Sequence, residues 1–466
     1  MLRRAAIAGL CAVLLLAGCS GGPPAGPADA AHGAGPVAPA GTEPLTPWPT
    51  YHGDLQRTGV APAPDAQPSA PSTEAAAPEE LSSVTIALDG AVYASPIVAG
   101  SLLVVATEHN SVYGMQADGP VRWHVNLGDP TPRSALPCGN IDPLGITGTP
   151  VYDEGSDTVF VVASLGPSAD HELFALDAGT GKTRWQRSVD LPGVDRSAMQ
   201  QRGALTLTGG RVWVPFGGLA GDCGNYRGRV VGVPVGDGTP QAFTVPTGRE
   251  GGIWTPPGPT VYRGDLLVAV GNGESTAEDA GYDHSDSVLR LHGTTLVDSF
   301  SPSSWASDNA SDLDLGSQGP ALVQDRWVFQ AGKSGIAYVL RADHLGGIGG
   351  EVSSAPLCRS FGGTAVHGDV VFVPCTDGVR AVRITGEGTI QPLWRAEDSV
   401  TGSPVVWQGR VYALDPAGGT LAVLDQADGH ILQTVAVGKA SRFATPAISG
   451  GRIFIGTLTG LSIVAG

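Results

Sequence analysis

Basic residues are scarce in this 466-residue chain, with 27 Lys and Arg against 44 Asp and Glu and a formal net charge of −17. Nor do the basic residues gather into runs. Phosphate contacts need clustered Lys or Arg, so nucleic acid is disfavoured as a partner, and the excess of acid reads as a solubility feature. Histidine is sparse and scattered, without HxH or HExxH spacing, which argues against a zinc site. Six cysteines occur with no CxxC and no CxxCH. That spacing argues against a thioredoxin-like redox site and against covalently attached haem. Long apolar runs are missing too, apart from residues 5–16, a stretch too short to span a bilayer comfortably.

What is present begins at that apolar stretch. Arg3 and Arg4 precede it, so it reads as the core of an export signal. It ends in Leu16-Ala17-Gly18-Cys19, which resembles the lipobox of bacterial lipoproteins. The resemblance implies cleavage before Cys19 and a diacylglyceryl group on its thiol, each buried CH₂ contributing about 0.8 kcal/mol to membrane attachment. We therefore expect a signal peptide over 1–18 and a Gly/Pro/Ala-rich tether over 19–47. A short ordered entry segment over 48–60 and a Pro/Ala-rich linker over 61–80 should follow. The lipid would be the sole membrane contact, on the outer face of the cell membrane or, in a cell with two membranes, in the periplasm or on the outer membrane. Cys11 leaves with the signal and Cys19 is the anchor. The four remaining cysteines, an even number in an exported chain, suggest two disulfides.

The body of the chain is periodic. A small residue or proline followed by an apolar strand recurs as SPIV at 95, TPVY at 149, GALT at 203, GPTV at 258, GPAL at 319, GTAV at 363, SPVV at 403 and TPAI at 445. Each is followed by a turn and a β-rich run, such as GRVWVPF or GRIFIGT. The spacing of roughly 40 to 60 residues is that of four-stranded propeller blades. The pattern predicts an all-β, eight-bladed propeller over 81–466, with a pair of β-sandwiches as the alternative. The unit from Thr445 has room for only three strands, so VTIALDG (84–90) is expected to supply the fourth and close the ring.

LDAGTGKTRW (176–185) resembles the pyrroloquinoline quinone (PQQ) propeller repeat, whose Trp docks one blade on the next; Trp123 and Trp394 sit at similar places. PWPTYHGDLQRTG resembles the entry segment of the same family, which includes quinoprotein dehydrogenases and non-catalytic lipoproteins of the outer-membrane assembly type. Let strands a to d run from the axis outward. The b–c loops and the segments from d to the next a then share one face, and the long segments of this sequence fall in those two classes. That face is the expected ligand face.

For the dehydrogenase members the resemblance implies a site. GREGGIWTPPG would lay Trp254 against PQQ. VAVGNG would offer Asn272 to calcium, FQAGKSG would bring Lys333 to the quinone oxygens, and SPSSWASDNASDLDLG would supply Asp308 as the base that takes an alcohol proton. Each also has a structural reading: a packed aromatic, two turn residues, and an acidic turn or structural calcium site. GDCGNYRGR places Cys223 where the dehydrogenases carry the Glu that ligates calcium, and a hard cation prefers oxygen to thiolate. Alternation along an extended chain would aim Asp222 elsewhere. The family's vicinal Cys-Cys pair is missing, and ALPCGNIDPLGITGTPV offers only Cys138. We expect Cys138–Cys223 and Cys358–Cys375 disulfides on the loop-rich face. A nucleophilic Cys223 is disfavoured, because no His lies nearby in sequence. The resulting expectation is a non-catalytic binding or scaffold protein that needs no cofactor and holds a protein, peptide or glycan on its loop-rich face. The alternative is a PQQ- and calcium-dependent alcohol or sugar dehydrogenase with an altered metal site.

Overall fold

The computed structural model describes residues 43–62 and 80–466. The signal peptide, Cys19, most of the tether and most of the Pro/Ala-rich linker lie outside the described residues. The structure is an eight-bladed β-propeller, each blade built on a four-stranded antiparallel sheet. Blade 2 is typical, with Val151–Asp153, Thr158–Leu165, Asp170–Asp177 and Thr183–Ser188 as strands a to d. Inner strands are covered on both faces by neighbouring blades, so they read as unbroken apolar runs. Arg452–Thr457 (RIFIGT) is buried at all six positions. Outermost strands face solvent on one side, and Thr183–Ser188 alternates between exposed and half-buried.

Ring closure uses both ends of the propeller sequence. Ser82–Ala87 pairs antiparallel with Gly460–Ala465, Val84 opposite Ile463, and completes blade 8 outside Ala447–Ser449 and Arg452–Thr457. Adjacent blades are docked by tryptophan. The Trp123 indole N–H donates to the Ala178 carbonyl of the next blade (3.0 Å), and Trp394 does the same to Gln426 (2.9 Å). Each ring lies over a glycine in a left-handed turn, Gly181 (φ +70) or Gly429 (φ +75), where a Cβ would overlap the indole. The turn in LDAGTG is thus the receptor for the preceding blade's tryptophan.

Residues 46–61 fill the centre of the ring. Their backbone meets the innermost strands of blade after blade. Trp48 O accepts from Val98 N (2.8 Å), Pro49 O from Tyr152 N (2.8 Å), Leu55 O from Val261 N (2.9 Å), Thr58 O from Val366 N (2.7 Å) and Gly59 O from Val406 N (2.7 Å). Arg57 is buried and donates to the Thr50 and Thr206 hydroxyls (both 2.7 Å) and to the Leu205 carbonyl (3.0 Å). His52 contacts Thr364 O (3.1 Å) and Thr445 Oγ1 (2.9 Å), and burial lowers its pKa to about 3, so it is neutral. This plug sits beneath a well on the loop-rich face.

Candidate functional site

The well ends in a cavity of about 340 Å³. Its lining comes from b–c loops and d-to-a segments, with Gly218 from the end of the strand Arg211–Gly218. A void of only about 10 Å³, bounded by Tyr51 on one side and by Arg202 and Phe443 on the other, separates it from the plug.

One wall carries three of the residues singled out in the sequence. Trp254, Asn272 and Lys333 all line the cavity. Trp254 is half-buried and lies against Gly217, where a Cβ would approach the Trp254 Cβ to 2.6 Å; the glycines let the indole lie flat along the wall. The backbone N–H of Asn272 donates to Asp314 Oδ1 (2.6 Å) and its side-chain amide to Asp312 Oδ1 (2.8 Å), while its Oδ1 is buried without a protein partner. Lys333 Nζ lies 2.6 Å from Asp312 Oδ1 and 2.5 Å from Asp314 Oδ2. Burial raises the Asp314 pKa, an effect that Lys333 partly offsets. Burial also works against the Lys333 ammonium, but the two carboxylates outweigh it and hold its pKa above the ordinary value.

Asp308 does not line the cavity. The segment folds into the helix Trp305–Ala310, and Asp308 Oδ2 accepts from Ser304 Oγ (2.7 Å) instead. The carboxylates of this segment that reach the cavity are Asp312 and Asp314. Asp222 departs from expectation in the opposite sense. The chain is not extended there: Asp222 adopts a left-handed conformation (φ 47) that breaks the alternation and turns it into the cavity. Its Oδ1 accepts from the Tyr226 hydroxyl (2.5 Å). Cys223 bonds to Cys138 (Cα–Cα 6.1 Å), and Cys358 bonds to Cys375 (Cα–Cα 5.7 Å). The first bridge stands behind the glycine-rich wall, since a Cβ on Gly221 would sit 3.5 Å from Cys138 Sγ.

The facing wall went unnoticed in the sequence. Arg202 lies 4.9 Å from the Phe443 ring centroid, and Arg442 lies 4.1 Å from Phe361 and 5.2 Å from Phe443. Burial lowers both pKa values, with Arg442 also repelled by Arg359. Gln200 Oε1 accepts from Arg202 (3.2 Å). Neither guanidinium has a carboxylate within ion-pair distance among the described residues. The nearest carboxylate influence on Arg202 is buried Glu108, pushed up to about 7 by burial and held by Gly145 N (2.7 Å) and Thr147 Oγ1 (2.8 Å). The signal available in sequence was position: each Arg stands just before a blade entry, in QQRGAL and SRFATPAI.

The donor set does not fit the calcium that the dehydrogenase resemblance implies. Asn272 Oδ1 is uncommitted, but Asp312 and Asp314 already hold the Lys333 ammonium, and Cys223 is locked in a disulfide. A divalent cation on Asn272 would face Lys333 across the same two carboxylates. Among the described residues no group of three or more His, Cys, Asp or Glu is arranged to hold a metal. PQQ fits only in part. Trp254 offers a ring face, but Lys333 is engaged by carboxylates and no vicinal disulfide covers the opposite side.

Fold and repeat together define the class, an eight-bladed β-propeller of the PQQ-repeat type. Residues 79–281 match the family model described as outer membrane protein assembly factor BamB. No curated protein matches the chain by sequence. The chain is similar to the crystal structure of quinohemoprotein alcohol dehydrogenase from Comamonas testosteroni, with TM-score 0.66 and 15% identity over 90% of this chain and 80% of that one. It is also similar to BamB from Moraxella catarrhalis (TM-score 0.57, 18% identity, 83% and 99% coverage) and to a europium-containing methanol dehydrogenase (TM-score 0.66, 12% identity, 91% and 98% coverage). At these identities the likeness is one of fold.

Proposed function

We propose that this chain is a non-catalytic, extracytoplasmic binding protein, tethered through a lipid on Cys19, that engages its partner or ligand at the loop-rich mouth of the propeller. A protein, peptide or glycan remains the partner class. The observation that carries this reading is the Lys333 ammonium seated between Asp312 and Asp314, which takes up the carboxylates a metal would need. The dehydrogenase reading draws on the gathering of Trp254, Asn272 and Lys333 around one cavity, but its proposed base, Asp308, lies off that cavity. The test is a dye-linked assay of the full chain with PQQ, calcium and a panel of alcohols and sugars. The expected result is no dye reduction above a protein-free control. Sustained turnover that requires both PQQ and calcium would overturn the proposal.

A further inference from the structure

The cavity is electrically two-ended. At one end Arg202 and Arg442 are held by aromatic faces and have no carboxylate partner among the described residues. Stacking fixes the plane of each guanidinium while leaving its N–H edge available, the geometry that suits carboxylate recognition. At the other end Asp312 and Asp314 share the single Lys333 ammonium, and the exposed Asp222 adds a further carboxylate, so acid outnumbers base among the lining residues there. The lining is therefore opposite in sign at its two poles. Between them lies the half-buried Trp254 indole.

We infer that the cavity binds a small zwitterion whose carboxylate and ammonium are separated by an apolar or flat stem. The carboxylate docks on Arg202 and Arg442, the stem lies on Trp254, and the ammonium meets Asp222 and Asp312. This inference rests on the non-catalytic binding reading above and names the ligand class of that same site. An unblocked short peptide and an ω-amino acid share this chemistry. An anion without the ammonium leaves the acidic pole uncompensated, and an amine without the carboxylate leaves the half-buried Arg202 and the exposed Arg442 without a carboxylate, so each one-ended ligand forfeits one pole.

The full chain would be titrated by calorimetry with 4-(aminomethyl)benzoate, 6-aminohexanoate and unblocked triglycine, with benzoate and benzylamine as one-ended controls. At least one two-ended probe should bind about tenfold or more tighter than either control, a difference of about 1.4 kcal/mol. Triglycine and 6-aminohexanoate separate a peptide source from a free amino acid. Arg442→Gln and, separately, Arg202→Gln should each weaken that probe about tenfold or more, while Arg442→Lys should recover only part of the loss. Thermal melts of every variant verify the fold. Because two arginines are tested independently, the misfolding of one variant does not remove the test. Binding of benzylamine as tight as that of the two-ended probes, unchanged affinity in the folded arginine variants, or no binding by any two-ended probe would each overturn the inference. PQQ is titrated with calcium alongside. Calcium-dependent PQQ binding would sink the underlying reading, whereas no heat from PQQ or from the zwitterions would sink this inference alone.

Discussion

The two ends of the central channel treat charge in opposite ways: the plugged end buries it, while at the mouth Asp222, Asp312 and Arg442 are exposed. At the plugged end Arg57 is buried and surrounded by neutral acceptors, Thr50, Leu205 and Thr206, and burial lowers its pKa only to about 10. Backbone from residues 46–61 hydrogen-bonds to most blades of the ring, so that end is fixed by construction. At the mouth the charged groups are more numerous and less matched. Among the described residues Arg202 and Arg442 have no carboxylate partner and Asn272 Oδ1 has no donor, and Asp222 occupies a left-handed backbone conformation. A buried polar group without a partner costs free energy unless something else supplies one. The plug supplies partners for the Arg57 terminal nitrogens and for both His52 ring nitrogens, although Trp48 Nε1, Tyr51 Oη and Arg57 Nε have none among the described residues, and the mouth presents its charges to a ligand. The contrast separates the part of the channel that holds the ring together from the part that recognises.

The sharpest way to break the contrast is Arg57→Met. It removes hydrogen bonds from a charged donor to the Leu205 carbonyl and to the Thr50 and Thr206 hydroxyls, each worth about 1.5 to 3 kcal/mol, although the Thr50 hydroxyl still donates to Leu205 O and the Thr206 hydroxyl to Pro259 O. A large fall in the denaturation midpoint is expected. A midpoint within error of wild type would show that the plug does not bind the ring. Removing the Cys138–Cys223 bridge by double Ser substitution should cost about 2 to 4 kcal/mol. That loss should appear in the chemical denaturation curve, with little change in mouth binding, because the bridge stands behind the wall.

Lys333→Met tests the mouth directly. It leaves buried Asp314 without its cation, so the carboxyl pKa should rise further and the variant should be less stable than wild type by about 1 to 3 kcal/mol near neutral pH. A group with a raised folded pKa contributes its stability fully below its unfolded pKa and loses it as pH climbs through the folded value. The deficit of Lys333→Met should therefore shrink as pH is lowered. A deficit that grew toward low pH would contradict the ion-pair assignment. The smallest expected effect lies at Glu108, with an ordinary value of 4.5 and a folded value of about 7. Its contribution is lost as pH rises from about 4.5 to 7, and Glu108→Gln should flatten that part of a melting-temperature profile. An unchanged profile would place the pH dependence elsewhere.

The blades were legible in sequence because each innermost strand follows a small residue or proline, and because paired turns and apolar runs repeat. Closure by the strand Ser82–Ala87 followed from the short last unit. The order in residues 48–60 was visible in Trp48 and Tyr51, but their position on the axis was not, because it depends on contacts with strands more than three hundred residues away, such as that of His52 with Thr445. Asp222 was misread because alternation assumes an extended chain, and one residue at φ 47 is enough to defeat it. The resemblance assigns Asp308 to the base, but the helix Trp305–Ala310, which has no strong local signature in the sequence, carries it off the cavity and leaves Asp312 and Asp314 there. Arg202 and Arg442 were overlooked because isolated arginines carry no pattern of their own. Only ring closure brings them to one phenylalanine.

The central claim, that the mouth recognises without a metal-bound quinone, is tested most directly by calorimetric titration of the full chain with PQQ in the presence and absence of calcium. The account predicts no saturable heat up to high micromolar PQQ under either condition. Micromolar binding that appears only with calcium would contradict it, because Asp312 and Asp314 would then have released Lys333 to hold the metal.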